Sequence, residues 1–163
     1  MNPLDLKTRE KWEEILKRFA GDAKMTACLT DDTGKQLICA ADRYPLCAAV
    51  RESPDALMSI CSQANTAMLA VLKKTLQPEI DVCDAGLIRV VVPIVREGKL
   101  VGQVTACGLA SKDEELNSFL VSKEAAITED KVLELAKATP SGSEEELGKL
   151  CARLFQELNR VDG

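Results

Sequence analysis

The 163-residue chain contains no histidine. That removes the commonest general base, every Ser-His or Cys-His nucleophilic pairing and the commonest neutral metal ligand, so any metal here would rest on thiolates or carboxylates. Aromatic residues are only 3% of the chain, which leaves few rings on which bases or sugars could stack. No apolar run approaches the roughly 20 residues of a membrane span. The opening segment, MNPLDLKTREKWEE, mixes both charge signs around no apolar centre, so no secretory signal is expected and the cytoplasm is the default location. Neither GKLVG nor DTGK has the phosphate-cradling GxxxxGK[ST] spacing.

Charge is plentiful but of the wrong kind for nucleic acid. Acidic residues outnumber basic ones, 26 to 21, for a net charge of −5, and Lys and Arg are interleaved with Glu. A nucleic-acid surface would show a basic stripe, so neither nucleic acid nor membrane is expected as a partner. The length suits one domain spanning residues 1–163. A chain of this size buries about 70% of its unfolded surface and needs neither disulfide nor metal merely to fold.

Cysteine is what the chain has in excess. There are seven, an odd number with no leader sequence, so a disulfide framework is not expected. Cysteine is also a small buried hydrophobe, and packing accounts for some of the seven.

The hydrophobic pattern predicts the elements. Trp12, Ile15, Leu16 and Phe19 follow helical spacing, with Pro3 at the start and Gly21 just past the end. Met25, Ala27 and Leu29 alternate with Thr26, Cys28 and Thr30, then DDTG turns the chain back into KQLICA as a hairpin. LCAAVRE makes a short helix before Pro54, and a longer one follows from Asp55 to Leu76. Three strands come next: EIDVC, GLIRVVVPIV and KLVGQVTACG, the last two joined at Arg96-Glu97-Gly98. Pro93 inside such a run predicts an edge position or a bulge. Helices are expected over 113–125, 129–138 and 144–160, the last opening at Ser143 with Glu146 at capping-box spacing. Its apolar stripe from Leu147 to Leu158 either packs on the sheet or serves dimerisation and signal output.

This order predicts an α+β, PAS-like fold: a five-stranded antiparallel sheet with inserted helices and helical N- and C-terminal segments. The core would run over about 22–125, with helices at 128–160 for packing or output. Helices covering one sheet face would leave a ligand space between the layers.

From Tyr44 to Gly108 the chain resembles the PocR sensory-domain family. The residues that carry the resemblance are Cys47 in YPLCAAVRES, Cys61 in SICSQAN, the run Cys83-Asp84-Ala85-Gly86-Leu87, and the hairpin VVPIVREGKLVG. The sequence departs from the family pattern in two places: Asp84 after the third cysteine, and Cys107-Gly108 ending the final strand. The resemblance implies a signal-input domain that senses a small polar or hydrocarbon-like molecule, with output through a kinase or transcription regulator.

Cys47, Cys61, Cys83 and Cys107 could converge in the folded chain. Four thiolates suit an iron–sulfur cluster or zinc, and of the two a [4Fe-4S] cluster fits better, since the fold needs no staple. Buried or free thiols lining a pocket are the alternative. Tyr44 and Arg43 either reach into the pocket or stay in a solvated loop. Asp84 either bonds a ligand or caps the turn, and Gly86 would allow close backbone approach at the rim. Arg89 and Gln103, on paired strands, face either the pocket or the outside. Cys28, Cys39 and Cys151 are assigned to packing. The expectation is therefore a cytoplasmic sensor responding to a small molecule or redox change, and no enzyme. The rivals are a thiol- or cluster-dependent redox protein or electron carrier, and a plain dimerisation domain.

Overall fold

A computed structural model describes residues 1–40, 44–112 and 115–160. Arg43, a candidate pocket residue, lies outside them.

The N-terminal turn at Pro3–Asp5 leads into α1, Arg9–Ala23, capped by the Thr8 hydroxyl, which accepts from Lys11 N–H. The fully buried Trp12 anchors both pieces, its indole N–H donating to the Pro3 carbonyl at 2.9 Å. Gly21 lies inside α1 and does not terminate it; the left-handed residue at the end is Lys24, φ 57°. The apolar face continues through Ala20 and Ala23, so packing carries the helix past the glycine.

Strands β1 (Thr26–Asp31) and β2 (Gln36–Ala40) form the expected hairpin. Next come α2 (Pro45–Glu52), α3 (Pro54–Ala56), a π-helical segment at Leu57–Ser62, and α4 (Gln63–Thr75). Strand β3 (Glu79–Val82) joins β4 (Leu87–Arg96) through a four-residue loop, Cys83 to Gly86, whose last residue has φ +91°. Strand β4 turns into β5 (Lys99–Ser111) through Glu97 and Gly98, both at positive φ, the mark of a type I′ turn. Helices α5 (Ser118–Ala125) and α6 (Glu129–Ala136), a two-residue β6 (Ser141–Gly142) and α7 (Glu144–Asn159) complete the chain.

The sheet order is β2-β1-β5-β4-β3, all antiparallel, with β6 added in parallel beside β5. The α+β, PAS-like arrangement is thus as expected, with one short strand more. Pro93 sits where β4 is an edge, since β3 pairs only as far as Val91. There Asn159 of α7 replaces the missing strand: its side chain accepts from Val95 N–H at 2.7 Å and donates to the Pro93 carbonyl at 3.0 Å.

Helices cover both sheet faces, not one. Ala27, Leu29, Val90, Val92, Val104 and Ala106 point toward α1 and α7 and form the main core with Trp12, Leu16, Leu147 and Leu154. The α7 stripe is therefore spent on the sheet, and Arg18 of α1 pairs with Glu157 of α7 at the surface. On the other face, Met68 and Leu72 of α4 cover Val91. A second core of Leu46, Val50, Ile60, Leu87, Val121 and Val132 ties α2, α5 and α6 to the sheet end.

Helix α5 starts later than its sequence suggests. Asn117 caps it, accepting from Leu120 N–H at 3.1 Å, while its own N–H donates to the Ala85 carbonyl at 2.8 Å. The preceding backbone is thereby held against the β3–β4 loop and is unavailable to the helix.

Cys28 and Cys39 face one another in the β1–β2 register, with Cα atoms 4.1 Å apart, and are joined as a disulfide. The expectation of no disulfide is corrected at this one pair. Strand register brought the two sulfurs together, and odd-number arithmetic could not see it.

A candidate ligand site between the sheet and the inserted helices

Alternation along the strands decides what faces α2–α4. Thr26, Cys28 and Thr30 on β1, Gln103, Thr105 and Cys107 on β5 and Arg89 on β4 all turn to this side. Just beyond, Gly108 forms a bulge at φ +103°, where Arg89 pairs with Cys107 and Ile88 with Leu109. Cys107 thus stays on the cavity side while Leu109 returns to the main core. A β-carbon at Gly108 would lie 3.1 Å from Cys47 Sγ, so the bare backbone lets α2 approach.

Two adjoining cavities occupy this layer. The smaller, about 50 Å³, is walled by Cys47 of α2, Cys61 of the π segment, Cys83 at the β3–β4 loop and Cys107 of β5. The four cysteines singled out from sequence are therefore brought to one space. Among the described residues, however, no three His, Cys, Asp or Glu side chains are gathered as a single metal ion requires. Burial holds the Cys47 thiol up to about 12, with neighbouring Cys107, Cys83 and Cys61 adding to the rise and Arg51 opposing it. Burial also raises Cys61, against the pull of Arg51. It raises Cys83 too, although the N–H groups of Leu87 and Ala85 favour its thiolate.

The larger cavity, about 250 Å³, shares Arg51, Asn65, Arg89 and Cys107 with the first. Its walls are mostly polar. Arg89, 4% exposed, is fully engaged: Nε and Nη2 donate to the two Asp81 carboxylate oxygens at 3.2 and 3.1 Å, Nη1 to Asn65 Oδ1 at 2.7 Å, and Nη2 also to the Ala64 carbonyl at 2.7 Å. Asp81 stands directly opposite Arg89 across the β3–β4 ladder. This pins α4 to the sheet and neutralises the buried charge. Gln103 and Thr30, 4% and 8% exposed, line the cavity with side-chain oxygens that have no hydrogen-bond partner. A buried polar oxygen left unpaired costs about 1–3 kcal/mol, which a bound molecule could recover.

The remaining candidates fall elsewhere. Tyr44 is half-buried at the start of α2 and Asp84 is exposed; neither lines the two cavities. Gly86 does allow a close backbone approach, but to residues 115–117. Arg89 and Gln103 face the cavity. Thr30, Arg51 and Asn65 were missed by sequence reasoning. The non-core face of β1 carries Thr and Cys where a fully solvated strand would carry Lys or Glu, but that pattern does not say what covers the face, and nothing local marks Arg51 or Asn65.

No helix of the described residues is long and apolar enough to cross a membrane. An antiparallel sheet with a polar cavity under inserted helices is the architecture of PAS-like input modules. A family model described as the sensory domain found in PocR matches residues 5–161, nearly the whole chain. The chain belongs to that family of sensory domains. No curated protein matches it.

Proposed function

We propose that the chain is a signal-input module that binds a small molecule in the larger cavity and acts by binding, not by turnover. The observation that carries this reading is a space of about 250 Å³ lined by Gln103 and Thr30, whose buried side-chain oxygens have no hydrogen-bond partner among the described residues. The terminal helices support an output route: α1 and α7 pack on the opposite sheet face, and Asn159 ties α7 to β4. A ligand that shifts β4 or β5 would reach α7 through one strand layer, and a kinase or transcription regulator in the cytoplasm would receive the signal. The thiols argue against thiolate catalysis, since burial disfavours their charged form. The test is a thermal-shift screen of the whole chain against small polar metabolites. A saturable rise in melting temperature, lost in Gln103→Leu, is expected; hits that Gln103→Leu retains in full would overturn the cavity assignment.

The convergence of Cys47, Cys61, Cys83 and Cys107 favours a second reading, in which they hold a [4Fe-4S] cluster. Four cysteine thiolates are the usual ligand set of such a cluster. The cluster would supply a redox response at the small cavity's end of the ligand site. Anaerobic reconstitution should yield iron and sulfide that Cys107→Ser abolishes and Cys151→Ser does not. Absence of iron in the wild type would remove this reading and leave a thiol-lined pocket.

A further inference from the structure

We infer that the larger cavity is built for a small hydroxylated monocarboxylate, its carboxylate on Arg51 and its hydroxyls on Gln103 and Thr30. This rests on the reading of the cavity as the ligand site. The charge count leads to it. Among the described residues that line the cavity, only Arg51 and Arg89 carry charge, and none is Asp or Glu. Arg89 is matched by Asp81 and contributes no net charge. Arg51 lines both cavities and has no ion pair or hydrogen bond among the described residues. Among the described residues the cavity therefore presents one unopposed positive charge, and a single carboxylate meets it with the fork geometry that guanidinium favours.

The hydroxyl requirement comes from Gln103. Its Oε1 is an acceptor with no donor, and an ionised carboxylate cannot donate. The ligand must carry a hydrogen-bond donor as well, which a hydroxyl supplies without adding charge, and Thr30 Oγ1, also unpartnered, can donate to it or accept from it. Size sets the limit. At about 30 Å³ per water, 250 Å³ holds the volume of about eight waters, which suits an acid of about three to five carbons. A phosphate ester carries about −1.5 to −2 at neutral pH and would exceed the single free cation. A neutral diol would leave Arg51 unmatched.

Calorimetric titration of the whole chain tests this with sodium glycerate and sodium lactate against glycerol and 1,2-propanediol, which have the same carbon skeletons without the charge. Glycerol phosphate serves as the dianion. The carboxylates are expected to bind at least tenfold tighter than the diols and the phosphate. Arg51→Met should erase that advantage, and Arg51→Lys should restore part of it, with urea midpoints unchanged in both. Gln103→Leu should weaken glycerate at least tenfold. Diols binding as tightly as carboxylates, phosphate binding tightest, or carboxylate affinity indifferent to Arg51→Met would each overturn the assignment. So would no binding by any probe. If the metabolite screen still yields a ligand that Gln103→Leu loses, the sensory reading survives this failure; if it yields none, both fall.

Discussion

Gly86 is the sharpest place to test how the fold closes around the site. It ends the β3–β4 loop at φ +91°, and a β-carbon there would lie 2.5 Å from the Glu115 carbonyl oxygen and 3.0 Å from Leu116 Cα. Gly86→Ala thus meets two costs. The left-handed backbone penalises any β-carbon by about 1–2 kcal/mol. The collision is with backbone, which cannot rotate away as a side chain could, and overpacking of this kind adds about 1–3 kcal/mol. Relief would require residues 115–117 to move off the loop, stretching the 2.8 Å bond from Asn117 N–H to the Ala85 carbonyl and loosening the start of α5. Gly98 is the internal reference: its φ is +73°, but nothing lies within 4 Å of the added carbon, so Gly98→Ala meets only the first cost. Urea unfolding followed by circular dichroism should place Gly86→Ala about 1–3 kcal/mol below Gly98→Ala. Because Gly86 lines neither cavity, ligand affinity of the folded fraction should be unchanged. Equal destabilisation by the two substitutions would refute the steric argument, and a selective loss of affinity in Gly86→Ala would return Gly86 to the ligand site.

Asn159→Leu leaves Val95 N–H and the Pro93 carbonyl without their α7 partner and should cost about 1–3 kcal/mol, with amide exchange accelerating at Val95 first; unchanged protection there would show that the clamp is idle. Asp81→Ala strips the carboxylate from buried Arg89 and should cost more than Arg89→Met with Asp81→Ala combined, because the double variant leaves no unpaired charge; additive single effects would count against the pairing. Alkaline pH provides a third check. The unfolded Cys47 thiol loses its proton near 9.0 and the folded one only near 12, so protons bind the folded state more tightly and stability must fall as pH rises through that window. Urea midpoints measured at pH 8 and pH 10 should drop less in Cys47→Ala than in the wild type, and identical drops would disprove the burial of this thiol.

The sequence alone determined the strands, their antiparallel order and the terminal helices, because each depends on local periodicity and on turns with local signals such as DDTG and REGK. It also singled out Cys47, Cys61, Cys83 and Cys107, which the fold brings to one cavity. Three things were decided only by tertiary structure. Thr26 and Thr30 alternate with core residues as solvent-facing positions would, and only the packing of α4 over that face turned them into cavity walls. Cys28 and Cys39 became partners through strand register, a property of two strands and of neither alone. Arg51 and Arg89 are equivalent cations on paper. The carboxylate of Asp81, one strand away, matches Arg89, whereas Arg51 lines the cavity with no ion pair among the described residues, and that difference arises only when the chain is folded.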